Sequence, residues 1–256
     1  MDTTDLSDLE IFFEHSPDLI CVAGFDGYFR KINSAVCKTL GYTKEELFSK
    51  PISSFIYTED KQVTATRRNN ILAGDILTNF DNRYVTKSGE VVWLTWTSVP
   101  IPGKELIFAI AKNITYRKKL EEYKRISNIL LHNEVPDEQV VLSEELITIS
   151  PADQLWLLEI EKLIRKYAGA IDITVALLSD ELAMSERQLF RRIKTTVGLT
   201  PNRYIRIIKL QMAKEALKSG KFRTISEISF VAGFKTPTYF NKLFKDVYGS
   251  DITELM

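Results

Sequence analysis

The sequence predicts an α+β chain in two parts. An antiparallel sheet with short helices occupies the N-terminal half, and an all-helical C-terminal half is built on a repeated helix-turn-helix. Three observations lead there. Strand-like segments fall into a group of two and a group of three, all before residue 117. A capped amphipathic helix recurs in the C-terminal half at an offset of 51 residues. Charge also divides between the halves: residues 151–256 carry 17 Lys and Arg against 12 Asp and Glu, and residues 1–150 carry 17 against 22, although the whole chain is neutral.

The N-terminal elements come in a clear order. Residues 8–18 read as a short leading helix that stops at Ser16-Pro17. "LICVAGFDGYFRKI" reads as two strands around a Gly24-Phe25-Asp26-Gly27 turn, since strand residues bounded by glycine and aspartate are the hairpin signature. "NSAVCKTLGYTKEELFSK" gives two short helices broken at Gly41, with Thr43 placed to cap the second. Residues 59–73 are predicted helical. The segment from Thr78 to Thr115 then reads as three strands, with turns at Lys87-Ser88-Gly89 and Pro102-Gly103. Strands followed by helices and more strands, without strict alternation, indicate an antiparallel α+β unit.

A charged helical run, "YRKKLEEYKRISNILLHNE", comes next. Tyr116, Leu120, Tyr123 and Leu130 are spaced 4, 3 and 7 apart, a pattern that makes a short coiled-coil seam interrupted at Ser127. Residues 133–150 read as the least ordered part. "PADQLWLLEIEKLIRKY" reads as an amphipathic helix that packs on the C-terminal helices. Its apolar positions include Leu155, Leu158, Leu163 and Ile164.

Two motifs close the chain. Ser185, Leu189, Ile193, Lys194 and Gly198 are each matched 51 residues later by Thr236, Phe240, Phe244, Lys245 and Gly249. Ser185-Glu186-Arg187-Gln188 has capping-box form, in which cap and third residue satisfy each other's backbone N–H. Thr236 is predicted to cap the second helix, and Pro237 takes the first helical position, where a missing N–H costs nothing. Between the motifs, Thr200 caps a helix that Pro201 opens and Gly220 closes. Tyr204, Ile208, Met212 and Ala213 are read as its core stripe. About 18 residues at 1.5 Å each span about 27 Å, comparable with the ~34 Å turn of B-DNA. From Arg187 to Lys245 there are 14 basic and 2 acidic residues, the electrostatic footprint of a polyanion-binding surface.

Catalytic chemistry finds little support. Cys21 and Cys37 make neither a disulfide framework nor a zinc site. His15 and His132 are read as plain helix histidines rather than haem ligand and phosphoacceptor. No group of nucleophile, base and metal ligands emerges, so no enzyme is expected. Phe12, Phe25, Phe55, Trp93 and Trp96 could line a pocket or fill a solid core, with the solid core favoured. No apolar run approaches the ~20 residues that cross a bilayer, and the acidic N-terminus does not read as a signal peptide. The expectation is a cytoplasmic protein with no membrane partner.

Two resemblances add to this reading. The stretch from about 10 to 117 resembles a PAS domain, on "SPDLICVAGFDGYFRKIN", Gly41-Tyr42, "KSGEVVWLTW" and the closing "NIT". That resemblance implies a five-stranded sheet around a small cavity. A small-molecule ligand there is left open, and no cofactor is identified. A flavin photocycle is not expected, because the loop "SKPISSF" lacks cysteine. The stretch from about 170 to 252 resembles the DNA-binding domain of AraC/XylS-family regulators, on the repeated motif, "GLTPNRYIRIIKLQMAKEAL" and "ISEISFVAGFKTPTYFNKLFK". Leu178 and Ser229 depart from that family's small alanine, and Gly249-Ser250-Asp251-Ile252 lacks its usual proline.

The domains expected are 8–117, a helical linker 118–150, and 151–256. The second resemblance implies a sequence-specific DNA-binding transcription regulator under the control of the PAS unit. Ser185, Arg187, Phe190, Arg191 and Lys194 would face double-stranded DNA on the first motif. Thr236, Pro237, Thr238, Asn241, Lys242 and Lys245 would do so on the second. A homodimer through the PAS unit and residues 116–131 is expected, and RNA polymerase stays open as a further partner. The alternative is a protein-interaction module of a signalling relay with little specific DNA binding.

Overall fold

The computed structural model describes residues 3–133 and 150–255. It divides into two compact units, Met1–Lys118 and Lys119–Met256.

The first unit runs α1 (Thr3–His15), β1 (Leu19–Gly24), β2 (Phe29–Ile32), α2 (Ser34–Leu40), α3 (Lys44–Phe48), α4 (Lys61–Leu72), β3 (Leu77–Val85), β4 (Val91–Ile101) and β5 (Leu106–Asn113). The five strands form one sheet in the order β2-β1-β5-β4-β3, every neighbouring pair antiparallel. The β1–β2 turn closes through Gly27, whose φ of 93° suits glycine. Gly41 ends α2 in the left-handed conformation, and Thr43 starts α3 with a complete capping box to Glu46. The leading helix stops at His15, at the expected Ser16-Pro17 break where Pro17 cannot continue it, but starts at Thr3 rather than residue 8. The helix expected over 59–73 is a 3₁₀ turn at Thr58–Asp60 followed by α4.

Leu19, Ile32, Leu40, Leu47 and Leu94 are almost wholly buried and form the centre of this unit's core. Asn33 is also fully buried, because its amide closes β1: Ile20 N–H donates to Oδ1 at 3.1 Å and Nδ2 donates to the Asp18 carbonyl at 2.9 Å. Part of the inner sheet face is not filled, and a cavity of about 270 Å³ remains between the sheet and α4. Of the five aromatic residues singled out from the sequence, only Trp96 lines it. Phe55 packs edge-on against Tyr42, Trp93 lies under the Arg83 and Lys118 cations, and Phe12 is exposed. The unit is therefore neither a solid core nor a pocket built from those five.

In the second unit, α5 (Thr115–Asn133), α6 (Pro151–Tyr167), α7 (Val175–Glu181), α8 (Glu186–Val197), α9 (Pro201–Lys218), α10 (Ile225–Val231) and α11 (Pro237–Tyr248) are followed by a 3₁₀ turn at Ile252–Glu254. The first residues of α5 belong to the first unit. Its remainder is not a free connector, contrary to the linker reading of 118–150. Tyr123, Ile126 and Leu130 are buried. Tyr123 meets Tyr204 of α9 edge-on at 5.6 Å, and Arg125 donates to the Val247 carbonyl of α11 at 3.1 Å. Of the positions assigned to a dimer seam, Tyr123 and Leu130 thus lie inside the C-terminal core, Leu120 is half-buried, and Tyr116 belongs to the first unit. Residues 134–149, most of the segment read as least ordered, lie outside the described residues, as does the His132 side chain.

Helix α9 has the predicted 18 residues, Thr200 cap and Pro201 start. Its burial is wider than the predicted stripe. Ile205, Ile207 and Leu210 are buried with Tyr204, Ile208 and Ala213, since α6, α8 and α10 all pack on it, while Met212 of the predicted stripe is only half-buried.

Asp60 supplies a test of the first unit. Its buried carboxylate accepts from the Arg83 backbone N–H at 2.7 Å and from Arg83 Nε and Nη2 at 3.0 and 2.5 Å. Those bonds hold the Asp60 carboxyl below its ordinary range. Asp60→Asn is expected to destabilise the unit by about 2 kcal/mol at neutral pH, because bonds to a charged group are lost and Arg83 keeps only the exposed Glu59 as a carboxylate partner. The folded-state pKa lies below the unfolded value near 3.9, so this contribution is complete above about pH 4–5 and disappears as pH falls through the folded pKa. Urea unfolding followed by Trp93 and Trp96 emission should show the gap between the two proteins closing toward acid pH.

Candidate nucleic-acid interface

Each motif is a short helix, a turn and a longer helix. Thr174 caps α7 and Thr224 caps α10, each accepting from the N–H three residues on. The turns then differ by one residue. In the first, Ala183 takes φ 50°, a left-handed conformation that costs a non-glycine residue about 1 kcal/mol. In the second, Gly233 takes φ 78° without that cost. Because the second turn is longer, α7 and α10 correspond at an offset of 50 residues, while α8 and α11 keep 51. Ser229 therefore corresponds to Ser179, not to Leu178. Both serines are buried with no hydrogen bond to Oγ, and Leu178 matches Ile228.

The first outward helix, α8, begins with the predicted capping box: Gln188 N–H donates to Ser185 Oγ at 3.2 Å, and Gln188 Oε1 accepts from Ser185 N–H at 2.9 Å. Leu189, Ile193 and Val197 bury its inner face. Arg187, Phe190 and Arg191 lie exposed on the other side, with Lys194 half-exposed. Arg192 is different. Its guanidinium lies 4.0 Å over the Trp156 ring and 3.2 Å from Asp153, fastening α8 to α6. The helix thus uses one arginine as a clamp and leaves its neighbour outward.

The second outward helix, α11, buries Phe240, Leu243, Phe244 and Val247. Phe234, Phe240, Phe244 and Tyr248 stack in series, with centroids 4.6–5.7 Å apart. Thr236, Pro237, Thr238, Lys242 and Lys245 are exposed. Thr236 does occupy the N-cap position, but its hydroxyl makes no cap bond, so that expectation is corrected. With Pro237 lacking an N–H, the Thr238 and Tyr239 N–H groups are left at the open helix end, where an anion is favoured. Asn241 is half-buried rather than outward. It hydrogen-bonds Asp251, and its Oδ1 has no partner. Lys245 stays exposed 4.0 Å from Asp251. Asp251 also accepts from Thr253 N–H and Oγ1, and Ile252 is fully buried. The end of the unit is closed without the missing proline.

Electrostatics separates the cations of this unit. Lys119 and Arg165 both pair with the buried Glu161, and Arg165 also reaches Glu215 at 2.6 and 2.9 Å. The Glu215 and Glu161 carboxylates raise the Arg165 pKa above its ordinary value. Arg187, Arg191 and Lys242, by contrast, have no acidic partner among the described residues. Sequence reasoning missed the clamp made by Trp156, Asp153 and Arg192 and the Arg125 bond to α11. Only Glu161 and Arg165, four apart on one helix, carried a local signal.

Comparison with known proteins agrees with this division. Residues 29–107 match the family described as PAS fold, and residues 178–256 match the family described as Helix-turn-helix domain, of AraC type. The chain is 37% identical over 99 residues to Histidine kinase P4 of Formosa agariphila, covering 39% of this chain and 7% of that protein. It is 33% identical over 72 residues to the HTH-type transcriptional activator RhaS of Escherichia fergusonii, covering 28% of this chain and 26% of that one. A PAS domain of an HTR-like protein from Haloarcula marismortui is 26% identical, with a TM-score of 0.38, covering 43% of this chain and 93% of that one. The chain spans far less than two thirds of the curated relatives' length. It therefore joins a PAS domain to an AraC-type helix-turn-helix domain, and the combination supports a DNA-binding regulator. No helix among the described residues is long and apolar enough to cross a membrane.

Two substitutions test the outward faces. Arg191→Ala should cost about 1–3 kcal/mol of specific DNA affinity and relax one base position, measured by competition between single-base operator variants. Lys242→Glu should weaken the complex and lower the slope of log affinity against log salt by about 1.

Proposed function

We propose that this protein is a sequence-specific DNA-binding transcription regulator whose PAS unit receives a ligand or partner signal and controls the helix-turn-helix unit. The observation that carries the reading is the pair of outward helices on one scaffold, α8 and α11, whose Arg187, Arg191 and Lys242 have no acidic partner among the described residues, while Arg165 and Arg192 are held by carboxylates. Unpaired cations on two outward helices can meet phosphates and base edges.

Control along α5 is supported by its anchorage in each unit. In the first unit, Trp93 N–H donates to Thr115 Oγ1 at 2.9 Å and Lys118 pairs with Asp81 at 2.9 Å. In the second, Tyr123 and Arg125 hold it to α9 and α11. A helix so held can pass a shift between two packings. The homodimer contact is proposed chiefly for the PAS unit, because Tyr123, Ile126 and Leu130 of α5 are already buried within one chain.

Selection of bound sites from a random duplex pool, followed by titration, tests the central claim. The expected result is a recovered site bound about 10³-fold or more tightly than bulk DNA. Uniform binding to all duplexes would remove sequence specificity from the reading. Sedimentation of the full chain at micromolar concentration should give a dimer, and a monomer would remove that part alone.

A further inference from the structure

The cavity of the first unit has a specific origin. Cys21, Ala109 and Ser98 lie directly opposite one another across β1, β5 and β4. Three small side chains in one row face inward where larger ones would meet α4. The polar groups around this gap fall into two classes. Asn82 is satisfied: its Oδ1 accepts from Trp96 Nε1 at 3.0 Å, and its Nδ2 donates to Thr64 Oγ1 at 3.1 Å. Tyr84 shares a hydrogen bond with the same Asn82. Ser98 is only 5% exposed, lines the cavity, and its hydroxyl has no hydrogen-bond partner among the described residues.

Arg68 of α4 is the second open group. Its Nη2 donates to the Gly24 and Phe25 carbonyls at 3.0 and 2.9 Å, which fixes the plane of the guanidinium beside the cavity. Nη1 and Nε make no hydrogen bond, and no carboxylate lies in ion-pair range among the described residues. The neighbouring Asp26 is paired with Arg30. Exposed Lys61 and Arg67 add positive charge at the rim. A half-buried, fixed guanidinium with unused N–H groups on Nη1 and Nε suits an anionic oxygen held by a charge-assisted hydrogen bond.

We infer that the cavity binds a small organic carboxylate with an apolar ring. Its carboxylate meets Arg68, its ring lies over the Cys21, Ala109 and Ser98 row against Trp96, and a polar ring substituent bonds Ser98. About 270 Å³ limits the ligand to roughly one ring with its substituents, since small-molecule sites run from about 300 Å³ upward. The inference rests on the proposed sensing role of the PAS unit and names the ligand class for it.

Calorimetric titration of the full chain with 4-hydroxybenzoate, benzoate and benzamide tests it. The two carboxylates should bind, 4-hydroxybenzoate more tightly, and neutral benzamide about tenfold or more weakly. Arg68→Lys keeps the charge but not the plane fixed by the Gly24 and Phe25 carbonyls, and should narrow the margin between benzoate and benzamide. Ala109→Leu leaves Arg68 intact and fills the row, so it should abolish binding while the thermal midpoint is kept or raised. Equal binding of benzamide and benzoate would overturn the carboxylate assignment and leave a sensing cavity. Absence of binding by all three probes would overturn the ligand class proposed here. Operator binding by the untreated wild-type chain reports on the DNA-binding reading alone, so the two can fail separately.

Discussion

Burial of α9 on nearly all sides is the constraint on which the C-terminal unit depends. Tyr204, Ile205, Ile207, Ile208, Leu210 and Ala213 leave this helix little solvent-facing apolar surface. Each large apolar side chain contributes on the order of 1.5–3 kcal/mol when fully buried. Helices α6, α8 and α10 must each present an apolar face to it, and α11 joins through Tyr248, whose hydroxyl lies 3.5 Å from the Leu210 carbonyl. Once those faces are buried, the polar faces of α8 and α11 can only point outward. The position of the cations is a consequence of core packing.

The clamps around that core then decide which cations are available. Glu161 lies in the interior and needs counter-charges, so Lys119 and Arg165 are drawn to it. Arg192 is held between Trp156 and Asp153. A buried carboxylate without these partners would carry a desolvation penalty of several kcal/mol. Arg191 adjoins the clamped Arg192 in sequence yet points away from it, because successive residues on a helix are about 100° apart. The first unit obeys a related logic at Arg68, which holds two backbone carbonyls with one nitrogen and leaves the others open.

The legible parts of the chain were those written in local chemistry. Capping boxes at Thr43 and Ser185, the glycine turns, the two strand groups and the length of α9 all arise from interactions within about five residues. Thr236 shows the limit of that reasoning. A good capping residue stands at the right position, but its φ of −130° and ψ of 126° accompany a hydroxyl that makes no cap bond. The α5 spacing shows a second limit. It is correct for burial, but spacing does not say against what, and Tyr123 packs on Tyr204 of the same chain.

The sequence by itself determined the two-part organisation, the repeated motif, the opposite charge of the halves and the outward set Arg187, Arg191, Thr238 and Lys242. Tertiary structure alone decided the rest. It placed α5 in the core of the second unit, shifted the register of the two motifs from 51 to 50 at the inserted turn residue, and turned Asn241 toward Asp251. It also left a gap over three small residues that lie far apart in the chain and meet only through strand register. The physical reason is common to all four. Periodicity records which side of an element avoids water, whereas the partner on that side is fixed only when distant segments pack to the density of a solid interior.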